Sequence, residues 1–227
     1  LICFHVFILT IIDYIILVMT NLVKLSVTLS LIFSINNVYA DREAFESTYV
    51  PLAPEKIVIQ NASIYDGDGG EFFETDVLVE DGKIIAIGKD LPFTKEFKVI
   101  DASGKWVTPG IIDIHSHMGV YPAPGVRTSS DGNEATSPVT ADVWAEHSIW
   151  VQDPQYALAL TGGVTAFHIL PGSANLIGGR GVTVKNLQRN TINSMKFPEA
   201  PHSLKMACGE NPKSCLLYTS DAADDMQ

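Results

Sequence analysis

Apolar and polar positions alternate through residues 55–108 in a way that predicts a run of short strands. Residues 56–65 alternate along most of their length, as half-buried strands do. Residues 76–80 predict a second strand, and residues 83–88 predict its antiparallel partner across the two-residue turn Asp81-Gly82. Two further short strands are predicted at residues 99–101 and 106–107. Residues 55–108 are therefore predicted to form a small β-sandwich domain.

A second pattern begins after Pro109-Gly110, where residues 111–114 form a short apolar run that predicts a buried strand. His115 and His117 stand at the end of this run. Since alternate residues of a strand face the same side, both imidazoles are expected to leave the strand together. One divalent ion can accept both rings. The alternative is a pair of surface or core histidines that bind nothing.

The remaining sequence predicts further strands and helices. Residues 119–138 are rich in glycine and proline and predict a long loop, and residues 141–160 predict two helical pieces with a break at Pro154. Residues 164–170 predict a strand that carries His168 near its end. This histidine either faces a pocket or is a core histidine with satisfied hydrogen bonds. Further strands are predicted at residues 181–185 and 203–208.

Residues 107–119 resemble the first-barrel-strand signature of the metal-dependent amidohydrolase superfamily. Residues 76–88 and 99–105 resemble the small β-sandwich that precedes the barrel in that superfamily. The resemblance covers roughly residues 55–213 and is nearest to the imidazolonepropionase-related and Xaa-Pro-dipeptidase-like secreted members. It implies an α/β fold in which the N-terminal β-sandwich is followed by the first half of a (β/α)8 TIM barrel. A whole barrel needs about 250 residues, so the barrel at residues 109–213 is expected to be truncated.

The resemblance also implies a set of site residues. His115 and His117 are expected to bind one or two divalent ions, with zinc as the first expectation, although imidazole also suits iron and nickel. Lys205 resembles the lysine that is carbamylated to bridge two metals, and its alternative is a lysine that reaches solvent. Lys185 is a second candidate for that bridge. Asp113 is expected to orient the ligand imidazoles. The general base of the family is expected beyond the end of this chain, so no catalytic residue is assigned and the fragment is expected to be inactive.

The function implied for the parent protein is hydrolysis of a carbon–nitrogen bond by metal-activated water. Its partner would be a small-molecule substrate, either an amide, a cyclic amide or a dipeptide-like compound. One alternative is a secreted or membrane-anchored β-sandwich binding module without catalysis. Another is a different metal hydrolase on the same barrel, such as a deacetylase or a phosphotriesterase-like enzyme. The protein could also form a homo-oligomer, and the sequence does not decide its oligomeric state.

The ends of the chain and its charge change this interpretation in three respects. Residues 1–40 predict a secretory leader that starts at Met19 and is cleaved after Ala40, followed by a linker at residues 41–54. The expected location is periplasmic or secreted, with a membrane anchor as the alternative if the leader is not cleaved. Residues 214–227 resemble the translation of a sequencing-library adapter. The net charge of −11 argues against nucleic acid as a partner.

Overall fold

The computed structural model describes residues 44–53 and 55–215. The predicted leader at residues 1–40 and most of the predicted tail at residues 214–227 lie outside the described residues. The chain divides into two compact units between Phe45 and Glu46, and every element named below belongs to the second unit. Within the described part of the chain, no helix is long and apolar enough to cross a membrane.

Five strands between Ile57 and Val107 form one mixed sheet. The strands are β1 (Ile57–Tyr65), β2 (Glu71–Glu80), β3 (Lys83–Gly88), β4 (Lys98–Asp101) and β5 (Trp106–Val107). Their order is β3-β2-β1-β4, and β5 also pairs with β1. The strands β1, β2 and β3 run antiparallel, whereas β4 and β5 run parallel to β1. The predicted strands are confirmed, but the described residues here contain one sheet where a two-layer sandwich was expected, because every strand pairs through β1 or β2.

The turn between β2 and β3 has the predicted hairpin geometry. Asp81 and Gly82 both have positive φ, at 51° and 70°, which is the conformation that a two-residue turn of this type requires. A second irregularity lies at Asn61, whose φ is 58°. The buried carboxylate of Asp76 holds this position, because its Oδ1 accepts the Asn61 N–H at 3.0 Å and its Oδ2 accepts the Leu91 N–H at 3.2 Å. Asp76, inside β2, therefore connects β1 to the segment that follows β3.

The second half of the described chain contains two smaller sheets. The first has the order β6-β7-β9 and is formed by β6 (Ile111–Ser116), β7 (Val164–Ile169) and β9 (Val182–Lys185). The other pairs β8 (Ile177–Arg180) with β10 (Leu204–Met206). Two helices accompany them, α1 (Gln155–Thr161) and α2 (Glu210–Cys215), together with 3₁₀ turns at Arg127–Ser129 and Ala145–His147.

Neighbouring strands of a (β/α)8 barrel are parallel, and among the strand pairs of this half only β6 and β7 agree with that. Strands β6 and β7 are parallel, and α1 lies in the connection between them. Strand β9 is antiparallel to β7, and β10 is antiparallel to β8. The expectation that residues 181–185 and 203–208 continue a parallel barrel is therefore wrong in direction. The chain between β7 and β9 holds β8 and no α-helix, so it turns back instead of making the crossover that a parallel pair requires.

The helical prediction is confirmed in part. Helix α1 begins directly after Pro154, whose φ of −62° suits the start of a helix. The first of the two predicted pieces is only the 3₁₀ turn Ala145–His147.

The main apolar core of this half lies on β7, β9 and the elements packed against them. Its buried members are Val120, Tyr156, Phe167, Ile169, Val182, Val184 and Met195. In contrast, Ile111, Ile112 and Ile114 of β6 are 54%, 61% and 76% exposed. The prediction that this apolar run is buried is therefore wrong for the described chain. The reason is that, among the described residues, β6 is the edge strand of its sheet and has β7 as its single partner.

Candidate metal centre

His115 and His117 lie side by side at the carboxyl end of β6. His115 is the penultimate residue of the strand, and His117 directly follows its last residue, Ser116. Their ring centroids are 5.4 Å apart, and the planes of the rings meet at 84°. The alternation that directs Ile114 and Ser116 away from these rings comes from the strand itself. Two imidazoles are thus presented together at one end of the sheet.

The ring of His117 is held in one orientation by the neighbouring strand. Its Nδ1 lies 2.9 Å from the carbonyl oxygen of Leu170, which directly follows β7. A carbonyl can only accept, so Nδ1 carries the proton and donates it. The lone pair of a neutral His117 ring is therefore on Nε2, where it is available to a ligand.

His115 contacts a residue that is 90 positions away in the sequence. The Nζ of Lys205 lies 3.1 Å from His115 Nε2. Lys205 donates in this contact, so the lone pair of His115 is on Nε2, as it is in His117. The positive charge of Lys205 is the main cause that lowers the pKa of His115, followed by desolvation and the charge of His117, while Asp113 acts in the opposite direction. Lys205 is itself only 9% exposed, and burial lowers its pKa.

Asp113 supports the main chain at this point. Its Oδ1 accepts a hydrogen bond from the backbone N–H of His115 at 3.1 Å. This hydrogen bond is to the backbone that carries the His115 imidazole, and the expected role of Asp113 in orienting the ligand imidazoles stays a prediction. Asp113 therefore fixes the position from which the His115 side chain leaves the strand.

His168 is bonded at both of its ring nitrogens. Nδ1 lies 2.9 Å from Thr183 Oγ1 on β9, and Nε2 lies 2.6 Å from Ser203 Oγ, directly before β10. Desolvation is the main cause that lowers the pKa of His168, and the charges of His202 and His115 add to it. This geometry matches the sequence alternative of a satisfied histidine. Sequence reasoning missed both hydroxyl partners, and the only available signal was that Ser203 and Lys205 alternate on one extended segment.

Lys185, the second candidate for the metal bridge, lies in a different environment. Its Nζ is 4.6 Å from the ring centroid of Tyr49 and 4.4 Å from that of Phe197. These three residues line a cavity of about 960 Å³ near the start of β6, and His115 and His117 are not among the residues that line it. Lys205 is therefore the lysine that meets the histidines.

Two loops beside the histidines are joined to each other. The ring of Tyr121 meets His117 edge to face at 5.5 Å, and the Tyr121 hydroxyl accepts a hydrogen bond from Asn133 Nδ2. Asn133 Oδ1 accepts the N–H of Ala174 at 3.0 Å, and Asn175 Nδ2 donates to the carbonyl of Ser137 at 2.7 Å. The loop after β6 is thus tied to the loop after β7, and both border the histidine end of the sheet.

The described residues supply some of the ligands that a divalent ion needs, but not a complete set. The rings of His115 and His117 lie side by side, and the Nζ of Lys205 lies 3.1 Å from His115 Nε2. Imidazole nitrogen is a ligand for zinc and related metals. Within the ranges that the structure describes, no cluster of three or more His, Cys, Asp or Glu side chains is arranged to hold an ion. A complete site thus needs further ligands besides these.

Comparison with known proteins finds several relatives, although no protein-family model matches the chain. The amidohydrolase tasK of Hapsidospora irregularis is 36% identical over 159 residues, which are 65% of this chain and 16% of that protein. A dihydroorotase of Lactobacillus acidophilus is 42% identical over 85 residues, which are 36% of this chain and 18% of that protein.

A solved structure gives the same indication. The crystal structure of an amidohydrolase from Thermotoga maritima matches with 40% sequence identity and a TM-score of 0.64 over 70% of this chain and 41% of that one. The chain thus spans less than half the length of each of these three relatives. The relatives are hydrolases of carbon–nitrogen bonds. These similarities, together with the paired histidines at the end of β6, are consistent with a fragment of the amidohydrolase superfamily.

Proposed function

We propose that the whole protein hydrolyses a carbon–nitrogen bond in a small amide, cyclic amide or dipeptide-like substrate, with a divalent ion held by His115 and His117. The similarity of the chain to amidohydrolases supports the reaction class. The contact between Lys205 and His115 supports the position of the ion, because it joins the candidate residues across 90 positions of sequence. Zinc is the first candidate for the ion.

The environment of Lys205 is the observation that carries this proposal. A buried ammonium group is costly unless a counter-charge lies beside it. Among the described residues, no carboxylate forms an ion pair with Lys205, and its nearest polar partner is an imidazole nitrogen. Reaction with carbon dioxide would resolve this conflict. The ammonium group would first lose a proton to solvent, and the lone pair of the neutral amine would then form a bond to the carbon of carbon dioxide while the electron pair of one C=O π bond moves to oxygen. A second N–H proton would leave to solvent, and the resulting carbamate would offer anionic oxygens beside His115 Nε2.

The other residues hold this arrangement in place. The Leu170 carbonyl keeps the proton of His117 on Nδ1, and Asp113 holds the backbone of His115. When bound, the ion would supply a water whose pKa is low enough to act as a nucleophile at neutral pH. Tyr121 and the two joined loops border the space in which a small substrate would lie.

We also infer that β6 and β7 are the first two strands of a (β/α)8 barrel, with the other strands in the rest of the whole protein. The parallel pairing of β6 and β7 and the exposed apolar side chains of β6 support this inference. We further propose that residues 1–40 direct export, so that the whole protein is periplasmic or secreted. N-terminal sequencing of the exported protein would test this, with cleavage after Ala40 as the expected result.

Metal analysis of the whole protein tests the proposed function. The wild-type protein is expected to retain one or two divalent ions after dialysis and to cleave at least one substrate in a screen of amides, cyclic amides and dipeptides. The double variant His115→Ala/His117→Ala is expected to lose both properties. His147→Ala is a matched control, because it also removes an imidazole, from the 3₁₀ turn Ala145–His147 and not from the end of β6.

Two results would count against the proposal. Unchanged metal content in the double variant would remove the two histidines from the ligand set. A wild-type protein that binds no divalent ion and cleaves none of the substrates would instead favour a binding module without catalysis.

A further inference from the structure

The segment that brings Lys205 to His115 is short, and the structure shows what holds it. We propose that His168 and Ser203 are positioning residues that keep β10 in the register at which Lys205 meets His115. The role of Lys205 itself rests on the proposed function. The role of His168 and Ser203 rests on the contacts that follow.

The ladder of strand β10 is short. The strand comprises three residues, Leu204–Met206, and its partner among the described residues is β8, with one further backbone bond at each end of the ladder. The pairing has an irregularity between Lys205 and Met206, which lie opposite Gly179 and Ile177. Leu204 and Met206 are exposed, so the strand has no apolar anchor on that side. Register is weakly specified where a strand buries no apolar face, so contacts outside the ladder are expected to help fix it.

The hydrogen bond between Ser203 and His168 supplies such a contact. Ser203 Oγ lies 2.6 Å from His168 Nε2. Ser203 and Lys205 are two residues apart on an extended segment, so their side chains leave the same face. His168 belongs to β7, which pairs directly with the strand that carries His115. The bond therefore links the sheet of Lys205 to the sheet of His115.

The His168 ring is itself fixed by a third strand. Thr183 Oγ1 on β9 lies 2.9 Å from His168 Nδ1. A neutral imidazole offers one donor and one acceptor, and each hydroxyl group can serve as either. Both bonds can thus form at the same time with the ring uncharged. Thr183 sets the orientation of the ring, and the ring in turn sets the position of Ser203.

The backbone at Gly181, between β8 and β9, also passes close to residues 202 and 203, directly before β10. The N–H of Gly181 donates to the carbonyl of Ser203 at 3.1 Å, and His202 Nδ1–H donates to the carbonyl of Gly181 at 2.8 Å. A Cβ at Gly181 would lie 2.6 Å from both Ser203 Oγ and Leu170 Cδ2. The approach therefore requires glycine. Leu170 is the residue whose carbonyl holds His117, so the crossing also adjoins the second histidine.

The test compares Ser203→Ala and His168→Phe with Ser203→Thr, which keeps the hydroxyl group. Two measurements on the whole protein are Co²⁺ affinity by equilibrium dialysis and the ¹³C NMR signal of a lysine carbamate in ¹³C-bicarbonate. Removal of a residue that positions a ligand typically lowers metal affinity by roughly 10- to 100-fold. We expect this loss and a loss of the carbamate signal in the first two variants, and near wild-type values in Ser203→Thr. Ser194→Ala is the control, because the Ser194 side chain is half-buried and, among the described residues, its hydroxyl bonds to Thr191 alone.

The outcomes separate this inference from the proposed function. If the wild-type protein binds Co²⁺ through His115 while Ser203→Ala retains full affinity and the carbamate signal, the positioning role is wrong and the proposed function stands. If the wild-type protein binds no metal, the proposed function fails. A crystal structure of metal-free Ser203→Ala then decides the positioning role alone. Displacement of Lys205 from His115 would support that role, and a distance still near 3.1 Å would overturn it.

Discussion

The five-stranded sheet and the histidine end of β6 are ordered by contacts of different range. In the sheet, β1, β2 and β3 are neighbours both in sequence and in space, and a two-residue turn joins β2 to β3. At the histidine end, the central contact joins His115 to a residue 90 positions away on a three-residue strand. The first region therefore depends on local backbone geometry. The second depends on a few side chains that join separate sheets.

This difference predicts that substitutions at the histidine end cost activity more than stability, and that substitutions in the five-stranded sheet do the reverse. The largest expected effect belongs to Lys205→Ala in the whole protein. Loss of the bridging group should lower kcat/KM by roughly 100-fold or more, because a direct ligand matters more than the residues that support it. Added formate or acetate should restore part of the activity, since a short carboxylate can occupy the place of the carbamate.

The matched control for Lys205→Ala is Lys185→Ala, which removes a lysine that lies between two aromatic rings. Its activity should stay near the wild-type level and should not respond to acetate. If Lys205→Ala retains full activity, Lys205 has only a structural role. If its lost activity does not respond to short carboxylates, the carbamate is excluded and a charge or packing role remains.

In contrast to Lys205→Ala, Asp76→Ala should lower the stability of the protein more than its activity. The Asp76 side chain is buried and accepts from two backbone N–H groups, of Asn61 and Leu91. A buried donor left without a partner costs about 1–3 kcal/mol, so the free energy of unfolding should fall by about 3 kcal/mol in urea titrations. Metal content should not change in the molecules that remain folded. Asp68→Ala, at an exposed position of the turn before β2, should leave the free energy of unfolding almost unchanged.

Loss of metal in Asp76→Ala at temperatures where it stays folded would contradict the separation of the two regions. It would mean that the sheet controls the geometry of the histidines, and that the two regions act as one cooperative site.

The same difference explains which features the sequence predicts. The hairpin at Asp81-Gly82 has a local signal, because both residue types favour positive φ. No such local signal marks the residue at which β2 begins. The strand begins at Glu71, five residues before the predicted start, and Glu74 has a φ of 50° within it. This irregularity breaks the alternation from which a strand is predicted.

At the histidine end, the pairing of His115 and His117 follows from alternation alone. The partner Lys205 was a candidate through resemblance to a known family. The hydroxyl group of Ser203 had only a weak signal, its alternation with Lys205 on one extended segment, and that of Thr183 had none. Their positions depend on how the chain passes from β8 to β9 through Gly181, into a different sheet. A pattern of apolar residues does not encode such a crossing. It also does not show that β6 is an edge strand, so the exposure of Ile112 and Ile114 could not be predicted.

The smallest expected effects come from two glycines that are required for different reasons. Gly82 has a φ of +70°, with no atom within 4 Å of an added Cβ, whereas a Cβ at Gly181 would collide with Ser203 and Leu170. Gly181→Ala should therefore cost about 1–3 kcal/mol through overpacking and should also weaken Co²⁺ binding, because Ser203 must move. Gly82→Ala should cost about 1–2 kcal/mol through backbone conformation alone and leave Co²⁺ affinity unchanged. Urea unfolding and equilibrium dialysis on both variants measure the contrast. Equal Co²⁺ affinities in the two would mean that the crossing at Gly181 supports the fold without positioning Lys205.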